Sequence, residues 1–121
     1  MSSWAWVAVV LIGGAGSVLR FVVDGAVSAR ARSTFPLGTM VVNVSGALVL
    51  GLLAGLALAP EVALLAGTAA VGSYTTFSTW MLESQRLTEE RRGGLAGLNI
   101  VLSLVLGIAA AALGEVIGQW L

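Results

Sequence analysis

The chain has 121 residues, 58% of them hydrophobic and 10% charged, and its six basic and six acidic side chains cancel. Soluble domains carry about 25% charged residues, so an ordinary soluble domain is excluded, and the zero net charge leaves no electrostatic case for nucleic acid. Cysteine and histidine are both absent, which excludes disulfides, thiolate chemistry, imidazole acid–base catalysis and a structural zinc of the usual kind.

Four nearly charge-free runs occupy most of the chain and predict helices at about 4–23, 37–59, 62–85 and 94–118. Each is near the roughly 20 residues that a bilayer crossing requires. The reading is an all-α membrane protein of four transmembrane helices forming one domain, 1–121. The first run follows Met1–Ser2–Ser3–Trp4, which has no basic residue ahead of it. It is therefore expected to remain as an uncleaved first helix, with Arg20 near its end.

The second run begins after Phe35–Pro36, and proline sits well at a helix start. Thr39, Asn43 and Gly46 are four and three residues apart and share one face. Asn43 is an amide in an otherwise aliphatic setting, Met40–Val41–Val42–Asn43–Val44. A buried amide must be satisfied, and its place beside Thr39 marks it as a functional candidate. Gly51 and Gly55 form a GxxxG pair, as do Gly93/Gly97 and Gly114/Gly118, and such pairs serve close helix–helix packing in lipid. A turn is expected at Pro60–Glu61.

The third run holds Gly72–Ser73–Tyr74–Thr75–Thr76–Phe77–Ser78–Thr79–Trp80, in which six of nine residues carry a hydroxyl and none a charge. Hydroxyls at membrane depth need partners. Glycine permits an unwound turn whose carbonyls can hold a small cation, so the helix is expected to break near its middle, at Gly72–Thr75. Phe77 and Trp80 project from one face beyond that break. Aromatic ring edges are partly positive, and hydroxyl donors beside them suit an anion. In the fourth run Asn99, Ser103 and Gly107 fall on one line. Asn99 reads as interhelical glue, whereas Ser103 stands equally for glue and for pore lining.

The six basic residues are all arginine. Arg20, Arg30 and Arg32 fall at the end of the first helix or in the loop to the second, and Arg86, Arg91 and Arg92 between the last two. Arginine loops stay in the cytoplasm, which places both termini outside the cell.

Three segments resemble the Fluc (CrcB) family of fluoride channels: Gly13–Gly14–Ala15–Gly16–Ser17–Val18–Leu19–Arg20–Phe21, then Phe35 through Gly46, and most specifically Gly72 through Trp80. The resemblance implies an antiparallel dimer in the plasma membrane with two fluoride paths lined by both subunits. It also implies a central structural Na⁺ held by the backbone carbonyls of Gly72 and Thr75. Asn43 would be the pore amide, Phe77 the first pore aromatic, Trp80 the second in place of the usual phenylalanine, Ser78 and Thr79 polar lining, and Arg20 a vestibule charge. Thr39 and Ser103 complete the candidate lining. Ser73, Tyr74 and Trp80 depart from the family pattern.

The implied function is passive, fluoride-selective export. Amides, hydroxyls and ring edges can replace the water of a small anion without trapping it. No phosphate-binding loop is present, and no carboxylate lies in the middle of a span. A proton-coupled multidrug exporter would need one where Leu11–Ile12–Gly13–Gly14–Ala15 stands. No nucleophile–base pair suggests an enzyme. A chain that inserts both ways needs balanced arginines, and here the bias is six to none. The expected partner is therefore an oppositely oriented homologue, with a homodimer as the alternative. The rival function is a non-conducting or half-conducting partner subunit of a heterodimeric channel.

Overall fold

The computed structural model describes residues 2–121. Among them every regular element is helical. The first helix, α1 (Ser3–Ala31), has 29 residues, which at 1.5 Å per residue is roughly 43 Å. It overruns the predicted end near residue 23 by two turns, because hydropathy marks the edge of the bilayer and not the end of hydrogen bonding. Arg20 accordingly lies inside the helix and not at its end. Arg32 closes it in the left-handed conformation, φ 46°, donating its backbone N–H to the Ser28 carbonyl at 3.2 Å.

Pro36 precedes α2 (Leu37–Leu56), which ends three residues earlier than predicted at a left-handed Ala57. The turn consequently occupies residues 57–59, and Pro60 starts the next helix instead of forming the turn, as its missing N–H allows. The third tract is composite. A short α3 (Pro60–Ala63) runs into a π-helical stretch, Leu64–Val71, and then α4 (Gly72–Tyr74). Gly72 is helical at φ −61°, ψ −35°, whereas Thr75 is extended at φ −81°, ψ 161°. Helix resumes as α5 (Ser78–Glu89), and after a left-handed Arg91 the chain enters α6 (Gly93–Trp120). Among the described residues, only α1, α2 and α6 are single helices long and apolar enough to cross a membrane; the segment expected at 62–85 is divided among several pieces.

α2 is central and packs against α1, α6 and the third tract. Its pairing with α6 is backbone to backbone. Side chains added at Gly51 and Gly55 would strike the Ala111 and Glu115 carbonyls, and at Gly114 and Gly118 those of Leu48 and Leu52. These two GxxxG pairs interlock as small residues do between helices in lipid. Gly93 and Gly97, by contrast, face open space. The interior is narrow: the largest fully buried side chains are Val42 and Asn99. Bulky apolar residues such as Phe21, Leu11 and Trp120 point outward, the inverse of a soluble fold and the arrangement expected of a lipid-facing surface.

Candidate functional site

The hydroxyl run is anchored to α2 by its backbone. At Thr76 the Asn43 side chain donates from Nδ2 to the carbonyl and accepts the N–H at Oδ1, both at 2.8 Å. The amide thus substitutes for the two helical partners that Thr76 has lost. A primary amide has a second N–H, which remains for another acceptor. Two residues along α2, Ser45 shares a hydrogen bond of 2.9 Å with Tyr74, a second link between α2 and the same strip of chain. The Thr76 hydroxyl accepts the Thr79 N–H at 3.2 Å, so Thr76 caps the start of α5 in the manner of a helix-capping threonine.

Two glycines let this strip lie so close. A side chain at Gly16 of α1 would strike Ser73 and the Ala70 carbonyl, and at Gly46 of α2 it would strike the Thr75 methyl. Within the strip the Thr76 N–H goes to Asn43, the Thr79 N–H to the Thr76 hydroxyl and the Thr75 N–H to Val71. Among the described residues no backbone N–H reaches the carbonyls of residues 72–75 across the interruption.

Two cavities border this strip. The larger, of about 760 Å³, is walled mainly by aliphatic groups and brings together Asn43, Gly72, Thr75, Phe77, Trp80 and Ser103. The smaller, of about 190 Å³, is lined by Arg20, Asp24, Thr39 and Thr79 among others. Thr76 borders both. Nine of the ten residues singled out from the sequence therefore line one cavity or the other. Ser78 lines neither; it is exposed, 3.4 Å from the Thr76 hydroxyl.

Phe77 is 69% exposed and meets Trp80 edge to face, the ring centroids 5.8 Å apart at 88°, a preferred aromatic geometry. The Trp80 indole donates Nε1–H to the Asn99 main-chain carbonyl at 3.1 Å. Asn99, 1% exposed, donates to the Ser84 hydroxyl at 2.8 Å and lies 3.4 Å from Ser103 Oγ. Its role as interhelical glue is directly visible. The Thr39 hydroxyl and one Glu83 carboxylate oxygen are buried beside each other and have no other hydrogen-bond partner.

Sequence reasoning passed over Thr76 and Asp24. Thr76 was inside the hydroxyl run, but nothing local distinguished it from Thr75; only the amide 33 residues earlier does so. Asp24 lies beyond the predicted end of the first helix and sits within the extended α1.

The profile of the family described as CrcB-like protein, Camphor Resistance (CrcB) matches residues 7–115. The chain belongs to the CrcB family. Among its relatives, it is 68% identical over 114 residues to a protein of Mycolicibacterium paratuberculosis named Fluoride-specific ion channel FluC 2, covering 94% of this chain and 93% of the relative. It is 62% identical to the protein of the same name from Mycobacterium tuberculosis H37Rv, covering 94% and 90%. Fluoride-specific ion channel FluC 1 of Leifsonia xyli is 44% identical over 92% of this chain and 84% of its own length. With three long apolar helices and this family, the chain is a multi-pass membrane protein.

Proposed function

We propose that the chain is a subunit of a passive fluoride-selective channel that exports cytoplasmic fluoride across the plasma membrane. Its CrcB-family relatives bear the name of that activity over nearly their whole length, and the chain is accordingly a transporter and not an enzyme. The observation that carries the reading is that Thr76, held by Asn43, borders both cavities. Fluoride enters beside Arg20 and Thr39, passes Thr76 and Thr79, and is handed to the free N–H of Asn43 and the ring edge of Phe77. Ser103 and the indole ring of Trp80 wall the far side. Beyond Arg20 each donor is neutral, so the ion is bound weakly enough to leave.

A single chain leaves Phe77 largely exposed on one side of its cavity, which supports an antiparallel dimer whose second subunit completes each path. The carbonyls of residues 72–75, free of backbone donors, suit a hard cation. Gly72 and Thr75 would hold a structural Na⁺ by these carbonyls, and bound there it supplies positive charge that cross-links the two interrupted tracts. The arginine bias favours a fixed orientation with both termini outside, and hence an oppositely oriented homologue as partner. A second reading, the non-conducting partner subunit, draws on Trp80, whose N–H is already committed to Asn99.

The deciding experiment is reconstitution of the purified chain alone into liposomes, with fluoride efflux followed by electrode and chloride in parallel. Selective efflux alone establishes a self-sufficient channel. Efflux only after addition of an oppositely biased homologue supports the paired reading. No efflux in either case overturns conduction.

A further inference from the structure

Trp80, Ser84 and Asn99 form a closed hydrogen-bond ring. The indole Nε1–H donates to the Asn99 carbonyl at 3.1 Å, Asn99 Nδ2 donates to Ser84 Oγ at 2.8 Å, and Ser84 Oγ donates back to the Trp80 carbonyl at 2.9 Å. Asn99 and Ser84 are 1% and 4% exposed, and neither lines the large cavity that Trp80 enters. Both ends of Trp80, its main chain and its ring nitrogen, are thus tied to partners that never meet an ion in that cavity. Polar groups sequestered so deeply are retained only when every member is satisfied, and here all three close on one another.

We infer that Ser84 and Asn99 are positioning residues that hold the Trp80 indole with its N–H turned away from the ion path. The inference rests on the channel reading for its consequence, though not for its geometry. With the N–H withdrawn, Trp80 offers the path a ring and no donor, and it does the work of a phenylalanine despite its extra nitrogen. Phe77 is fixed in turn by its edge-to-face contact with that ring. An indole N–H free to swing into the path would add a strong donor and slow the release of the ion. The Asn99 main-chain carbonyl occupies the nitrogen, and the hydrogen bond between the Asn99 and Ser84 side chains suppresses the swing by holding that carbonyl of α6 against α5.

The test uses the full chain with its three other tryptophans, Trp4, Trp6 and Trp120, replaced by phenylalanine, so that Trp80 is the only indole. Acrylamide quenching of its fluorescence is measured in Ser84→Ala, Asn99→Ala and Ser84→Thr variants, and fluoride efflux is measured with and without Trp80→Phe. Loss of one interhelical hydrogen bond in lipid should shift the indole by about threefold in population. Quenching is expected to rise by that order in both alanine variants and to return to the starting value in Ser84→Thr, which keeps the hydroxyl. The efflux change caused by Ser84→Ala is expected to vanish once Trp80→Phe is present. Unchanged quenching in the alanine variants, or an efflux change of the same size without the indole, overturns the inference. Quenching requires no ion movement, so it decides the positioning even if the chain alone proves silent. If Asn99→Ala fails to fold, the smaller change at Ser84 carries the decision.

Discussion

Asn43 and Thr76 are joined edge to edge, the side-chain amide of one giving and taking both hydrogen bonds of the other's peptide. Asn43 therefore has two duties, to complete the backbone and to offer its remaining N–H to the cavity. Asn43→Ala leaves a peptide N–H and C=O without partners, a penalty of roughly 1–3 kcal/mol for each buried group. We expect fluoride efflux to fall at least about tenfold, with a clearly lower melting temperature in detergent. An unchanged melting temperature with efflux lost would assign the amide to the ion alone.

Glycine substitutions should split by surroundings. An alanine at Gly46 or Gly16 meets the Thr75 methyl or Ser73 and the Ala70 carbonyl, and overpacking of this kind destabilises by about 1–3 kcal/mol. At Gly25, inside α1 with nothing near it, alanine should stabilise by roughly 0.5–1 kcal/mol through helix propensity. Thermal denaturation followed by size-exclusion chromatography reads both signs. Similar effects at all three sites would mean that the close approach of α1 and α2 to residues 73–75 is wrong.

Replacing Na⁺ with N-methyl-D-glucamine throughout purification should lower the stability of the assembled protein and its efflux together. Because the proposed ligands are main-chain carbonyls, Thr75→Ser should keep the same dependence on Na⁺. A chain indifferent to the cation would remove the sodium site.

Tyr74→Phe removes only the hydroxyl shared with Ser45. One such contact between helices in lipid contributes about 0.6 kcal/mol, so a small loss of stability is expected. Ser45→Ala should cause the same loss, and the double variant no more than either. Additive losses, measured as a double-mutant cycle, would show that the two hydroxyls act separately.

Orientation has its own test. Thr88 is exposed near the end of α5, and the chain has no cysteine to interfere. A Thr88→Cys variant should react with membrane-impermeant maleimide only after the cytoplasmic face is opened. Labelling in intact cells as well as in opened ones would establish insertion in both directions and make a homodimer the simpler assembly.

Much of this architecture could be read from composition and spacing. Interlocking of Gly51 and Gly55 with Gly114 and Gly118 follows from a pattern that is itself a physical requirement, since only small residues let backbones approach. Helix ends were less legible. Arg20, Asp24 and Arg30 interrupt hydropathy without interrupting hydrogen bonds, so α1 continues well beyond its apolar run. Non-helical backbone centres on Thr75, beyond the glycine at 72, because the partner that rewards leaving the helix at Thr76 is an amide on α2. A long-range contact of this kind leaves no local trace. The π-helical stretch Leu64–Val71 likewise has no composition of its own, being rich in the same alanine and leucine as its neighbours.

That stretch acts as a phase setting. Bonds that span five residues instead of four take in one more residue per turn, so everything after Val71 emerges rotated relative to an uninterrupted helix. Ser73, Tyr74 and Thr75, which reach α1 and α2, follow directly on this lag. Regular α-helix of the same length between 64 and 71 would therefore turn the whole polar strip away from its neighbours while leaving every residue of the strip in place.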